Sequence, residues 1–203
     1  MPSSDGIPDV SLAEDRALPP GQRGARGWPV LHYGPVPRFK PASWSLDVVG
    51  ATADGRQHSL SLPELRRLPR IRVRGDMHCV NRWTVPDNLW EGVGVRTLLD
   101  LFPPRDDVEQ VMVWAEFGYS ANLRMEDLAS PRAVLATHHD GEPLTPEHGY
   151  PLRLVVPHLY AWKGPKWVRA IQYLAEPARG FWEERGYHAH GDPWREERYA
   201  YQE

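Results

Sequence analysis

Residues 77–100 read MHCVNRWTVPDNLWEGVGVRTLLD, and this stretch decides how the rest of the chain is interpreted. The preceding residues 71–77 have the composition of a strand, so Cys79 is predicted just past a strand end. Trp83 and Trp90 flank a Pro/Asp/Asn segment that we interpret as a loop. A thiol at the end of a strand, next to a loop with aromatic residues at both ends, is suited to holding a cofactor.

Short strands and short helices follow one another in mixed order along the rest of the chain. Apolar patterns predict strands at residues 44–49, 109–117, 134–137, 152–156 and 167–174. Ser61 as N-cap, with Pro63 in the first turn, predicts a helix that begins near residue 62. Further short helices are predicted at residues 95–102 and 125–128. With no βαβ rhythm and 21 prolines in the chain, these elements predict an α+β fold.

The composition is that of an ordinary globular protein and excludes several functional classes. The 203 residues carry 24 Lys and Arg against 27 Asp and Glu, a net charge of −3. This balance argues against nucleic acid as a partner, since phosphate-backbone binding requires a basic stripe. The longest apolar stretches, such as residues 152–157, are far shorter than the ~20 residues that span a bilayer. We therefore expect no membrane segment, and with no export signal recognised we expect a cytoplasmic protein.

Three segments are expected along the chain. Residues 1–27 are rich in Pro, Gly, Ser and Arg without a hydrophobic period, and we predict a flexible N-terminal arm. Residues 28–178 form the predicted domain. Residues 179–203 are too aromatic for a disordered segment, so we expect this C-terminal tail to lie over the domain surface or the mouth of a cavity.

Cys79 is the single cysteine of the chain, which excludes an internal disulfide and a cysteine-rich zinc site. Three interpretations stay open: an inert buried thiol, a nucleophile, or one ligand of a metal that is held mostly by something else. As a nucleophile Cys79 would need a base. The adjacent His78 is badly placed for that role, because neighbours on a strand point to opposite faces.

Three blocks in order resemble the molybdopterin-binding domain of the sulfite oxidase family, in its small bacterial branch without haem or dimerisation domain. The first block is the opening stretch, with Cys79, a Trp-Thr pair at residues 83–84 and WEGV at residues 90–93. The second spans residues 140–168 and contains EHGYPLRLVVP and YAWKGPKWV. The third is LHYGPVP at residues 31–37. The resemblance covers residues 28–174 and implies that family's mixed fold of short strands and helices.

The resemblance implies molybdenum-molybdopterin as cofactor, with the Cys79 thiolate as metal ligand. One cysteine suffices there because the dithiolene of the pterin supplies further sulfurs. Arg82 is expected to help hold an anionic substrate. The other residues carried over as cofactor-binding are His32, Tyr33, Ala115, His148, Arg153, Gly164, Pro165 and Lys166. Without the resemblance, the sequence would favour ordinary structural roles for three of them. Arg153 would be a charged residue on the outer face of a strand, Lys166 a surface cation packed on an aromatic ring, and His148 a residue of a turn.

The family implies two-electron oxygen-atom transfer on a small-molecule substrate that carries sulfur or a similar centre. The chain is too short for the family's haem domain, so a separate electron-transfer partner is expected. Two alternatives remain. The aromatic tail would also suit an inert relic of the fold that serves as a binding or docking module. A thiol enzyme that uses Cys79 as nucleophile is the other.

Overall fold

A computed structural model describes residues 6–11 and 17–203. Its strands are β1 (Arg23–Gly24), β2 (Ser45–Gly50), β3 (His58–Ser61), β4 (Arg70–Cys79), β5 (Trp83–Gly94), β6 (Gln110–Ala115), β7 (Ser120–Arg124), β8 (Val134–His139), β9 (Glu142–Pro143), β10 (Arg153–Val155) and β11 (Val168–Leu174). The α-helices are α1 (Leu62–Arg67), α2 (Val95–Leu101) and α3 (Met125–Leu128). Two mixed sheets with short helices confirm the predicted α+β class.

The first sheet is built around the long strand β5. This strand pairs antiparallel with β4 and β8 and, over two residues, parallel with β1; β9 and β10 both pair with β8. The predicted loop between Trp83 and Trp90 is therefore wrong. The pairing register of β4 and β5 shifts between Gly75 and Met77, where Pro86 and Asp87 of β5 face the single residue Asp76 of β4. At this bulge in β5, Asp87 has φ of 57°. Such a bulge admits the proline that led us to predict a loop.

The second sheet has the strand order β3-β2-β11-β6-β7, in which β2 and β11 run parallel and the other pairs antiparallel. Its inner face packs on the first sheet through one large apolar cluster. Leu46, Val113 and Ile171 of the second sheet are fully buried there with Leu135 and Leu154 of the first. This core fixes the loops at the end of the sheets, where Cys79 lies.

Helix α1 begins as the sequence predicts. The Ser61 hydroxyl accepts a hydrogen bond from the Glu64 backbone N–H, and the Glu64 carboxylate accepts one from the Ser61 N–H. This reciprocal capping box satisfies two N–H groups that have no partner within the helix. The side chains of Leu62 and Leu65 are buried against the core.

The described part of the N-terminal arm lies on the domain, which differs from the flexible arm expected for residues 1–27. Strand β1 pairs with the beginning of β5, and Gln22 Nε2 donates to the Cys79 carbonyl oxygen over 3.1 Å. Val10 N–H donates to Arg72 O over 2.9 Å. A segment without a hydrophobic period can thus be ordered by the unpaired backbone groups of a sheet edge. Residues 1–5 and 12–16 lie outside the described residues.

Candidate active site

A cavity of about 340 Å³ opens between the loop that follows β4 and the segment between β10 and β11. Its size is in the range of small-molecule and cofactor sites. Most of the residues predicted for the site line it together: His32, Tyr33, Cys79, His148, Arg153, Gly164, Pro165 and Lys166. Trp182 and Tyr187 of the C-terminal tail also line it.

Cys79 is the last residue of β4, and its side chain is 8% exposed. It packs with the apolar and aromatic residues Val80, Tyr160 and Trp162. Burial raises the pKa of the Cys79 thiol, although a hydrogen bond from the Asn81 backbone partly opposes that shift. The thiol therefore stays protonated until a metal or another cation stabilises the thiolate. The adjacent His78 has its Nδ1 2.9 Å from the Thr84 hydroxyl.

On another wall of the cavity, His148, Arg153 and Lys166 form a cluster that we call the basic corner. Arg153 is buried, and its Nη1 donates to the His148 carbonyl oxygen over 3.1 Å. Lys166 Nζ donates to Glu147 O over 2.8 Å. Arg153 Nε and His148 Nε2 are buried without a hydrogen-bond partner among the described residues. Buried donors that remain unpaired are costly, so the basic corner is suited to an anionic ligand.

The pKa values of the basic corner point the same way. Desolvation, followed by the charge of Arg153, lowers the pKa of Lys166 to about 7. Burial lowers the pKa of Arg153 to about 10. Desolvation also lowers the pKa of His148, and Arg153 and Lys166 add to that shift. A bound anion would favour the charged form of each of these three basic groups.

Aromatic rings and one glycine hold the basic corner in place. The Trp28 ring stacks on His148 at 3.7 Å, and the Arg153 guanidinium lies 5.4 Å from Trp28 and 5.1 Å from Trp90. Gly149 has φ of 114°, and a Cβ there would lie 3.0 Å from the Arg153 Cβ. Sequence reasoning missed Trp28 in this role. Its position as the first aromatic residue after the arm was the only available signal.

The other predicted residues that line the cavity lie at its rim or have their polar groups bonded within the chain. His32 and Tyr33 are exposed at the cavity rim, where His32 Nδ1 is bonded to Gly34 O and Tyr33 packs on Phe181. The N–H of Gly164 already donates to Ala161 O. A Cβ at Gly164 would lie 2.6 Å from Leu154 O, so chain packing alone requires this glycine.

Arg82 and Ala115 are not among the residues that line the cavity. Ala115 is buried in β6. Arg82 has φ of 66°, its side chain is 59% exposed, and its Nη1 lies 3.9 Å from a carboxylate oxygen of Glu196. The turn after Cys79 directs Arg82 towards Glu196 of the tail, and the expected contact with an anionic substrate stays a prediction.

The residues present fit molybdopterin. Among the described residues no group of three or more His, Cys, Asp or Glu is arranged to hold a metal ion. A metal at Cys79 would therefore need further ligands from an accompanying group, as a dithiolene provides. The unpaired donors of the basic corner match a terminal phosphate.

A family model described as "Oxidoreductase molybdopterin binding domain" matches residues 33–182. The chain belongs to this family. Within the oxidoreductase molybdopterin-binding family, the chain is 40% identical over 185 residues to the uncharacterized oxidoreductase YuiH of Bacillus subtilis, covering 91% of this chain and 92% of that one. The mitochondrial sulfite oxidase of Rattus norvegicus is 27% identical over 181 residues, which cover 75% of this chain and 33% of the enzyme.

The fold has a relative among solved structures. The sulfane dehydrogenase SoxCD from Paracoccus pantotrophus superposes with a TM-score of 0.64 at 21% identity, over 71% of this chain and 41% of that one. Together with the relatives in sequence, this likeness confirms the resemblance to sulfite oxidase-type molybdopterin domains. No helix in the described part of the chain is long and apolar enough to cross a bilayer.

Proposed function

We propose that the protein is a molybdenum-molybdopterin oxidoreductase that transfers an oxygen atom, with two electrons, to or from a small sulfur-containing or similar substrate. The observation that carries this proposal is the shared cavity of Cys79 and the basic corner. A soft donor stands on one wall and unpaired cationic donors stand on another. When bound, the cofactor would supply the two-electron redox chemistry.

The chain's own residues would hold and orient that group. Cys79 would give the thiolate ligand, losing its proton on coordination. Arg153, held by the His148 carbonyl and the two flanking tryptophan rings, would present its free Nε to the phosphate, and Lys166 would add a point charge. His32, Tyr33 and the segment at Gly164 and Pro165 would complete the walls.

The C-terminal tail would close one side of the reacting centre. Trp182 and Tyr187, whose segment also suited a docking module, line the cavity, so they would exclude water from the reacting centre. A separate protein or small molecule would carry the electrons. We retain the cytoplasm as the proposed location, which cell fractionation would test.

Elemental and pterin analysis of the protein, made in a molybdenum-replete host, tests the proposal. We expect molybdenum and pterin in near-equal amounts, approaching one of each per chain. Cys79→Ser should lose most of the metal, while Arg153→Gln should lose the pterin and the metal together. The matched control is Arg195→Gln, since the Arg195 side chain is 75% exposed on the tail. Wild-type protein that contains neither molybdenum nor pterin would refute the proposal.

Turnover separates an enzyme from an inert relic. Loaded protein should oxidise or reduce an artificial one-electron dye in the presence of an oxygen-atom acceptor or donor. A fully loaded protein that is inert with every donor and acceptor tried would favour the binding module instead.

A further inference from the structure

The basic side chains among the described lining residues of the cavity lie together. His148, Arg153 and Lys166 form the basic corner, and His32 lies beside Trp167 next to it, with 5.5 Å between the two rings. Lining residues around the thiol are neutral: Met77, Val80, Asn81, Trp83, Trp182 and Tyr187.

The one acidic residue among the described lining side chains, Glu116, pairs with Arg169 over 2.8 Å. A substrate that reacts near Cys79 would therefore meet aromatic rings and an amide on the cavity surface, where the described residues beside the thiol present no charged side chain.

Two arginines close to the thiol in the chain or in space are directed elsewhere. Arg82 extends towards Glu196 with most of its side chain in solvent. Arg198 is buried behind the cavity wall, where its Nη1 donates to Val80 O over 2.7 Å and its Nη2 lies 3.5 Å from Glu196. Neither residue lines the cavity. Burial raises the pKa of the Cys79 thiol and the Arg198 charge partly opposes that rise, but Glu196 offsets that charge and the guanidinium group does not reach the cavity surface.

We propose that the substrate is an uncharged, largely apolar oxygen-atom donor or acceptor, and not an oxyanion such as sulfite or nitrate. This inference rests on the proposed function, because the cofactor phosphate would occupy the basic corner and neutralise it. An oxyanion would then lose its hydration against aromatic rings without gaining a cation. A neutral molecule loses little on desolvation and gains apolar contact with Trp83, Trp182 and Tyr187.

Methyl phenyl sulfoxide is a suitable neutral probe. Its S–O bond breaks, two electrons from a reduced viologen dye and two protons are taken up, and methyl phenyl sulfide and water are released. Sulfite, tested with ferricyanide as oxidant, and nitrate, tested with reduced viologen, are the charged probes. Molybdenum content is measured first on the same preparation, so that a missing cofactor is recognised as a failure of the proposed function.

With loaded protein, we expect kcat/KM for the sulfoxide to exceed the values for sulfite and nitrate by at least about tenfold, a discrimination worth one ion pair. The sulfoxide should also quench tryptophan fluorescence on binding, while the anions should not. Turnover of sulfite or nitrate at a comparable or higher kcat/KM would overturn the inference. Loaded protein that neither binds nor reduces the sulfoxide would overturn it as well.

Asn81 offers a gain-of-function test. It is exposed, lines the cavity directly after Cys79, and contacts the thiol through its backbone, which a substitution retains. Asn81→Arg should raise kcat/KM for sulfite about tenfold by supplying the missing cation. The Asn81→Gln variant, which lengthens the side chain without adding a charge, should show no such gain for sulfite. An arginine variant without any gain would show that charge is not what excludes oxyanions.

Discussion

Lys163 and Lys166 flank the same Gly-Pro pair, three positions apart, yet their surroundings are opposite. Lys163 is fully buried, and its three donors bond the Glu183 carboxylate at 2.7 Å, Asn122 Oδ1 at 3.1 Å and Ala189 O at 2.7 Å. Lys166 is partly buried and has one bond, to a backbone oxygen. Both ammonium groups are desolvated, but only Lys163 has a carboxylate partner.

This difference separates a structural charge from one that is suited to a ligand. The Lys163–Glu183 pair joins the cavity segment to the tail, and Trp162 Nε1 also donates to Glu183 over 3.0 Å. All three donors of the Lys163 ammonium are bonded, so Lys163 leaves no cationic donor for a ligand, although Glu183 Oε2 is buried without a hydrogen-bond partner among the described residues. The desolvation of Lys166 remains uncompensated until an anion arrives, as is typical of functional sites.

The largest expected effect comes from breaking the buried Lys163–Glu183 pair. Glu183→Gln leaves the Lys163 ammonium buried without a counter-charge, so we expect the free energy of unfolding to fall by about 3–5 kcal/mol. Urea denaturation followed by tryptophan fluorescence measures this. The double variant Lys163→Met/Glu183→Leu removes both charges and should recover most of the loss. A single variant as stable as wild type would mean that the pair is not desolvated in solution.

Lys166→Met should affect ligand binding, with no loss of stability. A hydrogen bond to a charged group contributes about 1.5–3 kcal/mol, so affinity of the unloaded protein for inorganic phosphate should fall about 10- to 100-fold. Calorimetric titration measures the affinity, and urea denaturation should show unchanged or higher stability. Lys40→Met, which alters an exposed lysine, is the control. Unchanged phosphate affinity would place the anion elsewhere.

The sequence predicted those helices and strands that are formed by interactions between residues close together in the chain. The capping box at Ser61 and the apolar alternation of β2 and β11 were readable because each depends on nearby residues. The course of β5 was not readable, because its proline lies in a bulge that forms only when β5 pairs with β4. Strand β1 escaped prediction for the same reason, since only a remote partner orders it.

The candidate site also has parts that the sequence predicted and parts that it did not. The family blocks brought Cys79 and the basic corner to the same cavity, because Cys79 ends β4, Arg153 begins β10 and Lys166 lies two residues before β11, all strands that the core fixes. The direction of Arg82 was beyond sequence reasoning, since Glu196 lies in the distant tail. Trp28 was missed because its partner His148 is far along the chain.

A substitution at Gly149 should have a smaller effect on stability, and it tests how tightly the basic corner is packed. Gly149 and Gly141 both have positive φ, but a Cβ at Gly141 meets no atom within 4 Å, while one at Gly149 crowds Arg153 and Lys166. Backbone strain alone should lower the stability of Gly141→Ala by about 1 kcal/mol. Gly149→Ala should lose more, by about 1–3 kcal/mol in total, and also weaken phosphate binding. Equal losses without a binding defect would show that Lys166 moves aside freely.

The smallest effect is the pH dependence that Lys166 adds to the stability of the unloaded protein. Its pKa is about 7 in the folded chain against an ordinary value of 10.5. Between these values the unfolded chain binds the proton and the folded chain does not, so stability rises with pH; below about 7 the cost of the buried charge is fully present.

The contribution of Lys166 is isolated by subtracting the stability–pH curve of Lys166→Met from that of the wild type. The difference should rise between pH 7 and 10.5 and level off on either side. Phosphate should flatten the rise, because an anion paired with the ammonium returns the folded pKa towards its ordinary value. Parallel curves without phosphate would show that Lys166 is solvated. The two lysines would then differ in their hydrogen-bond partners but not in the cost of their charge.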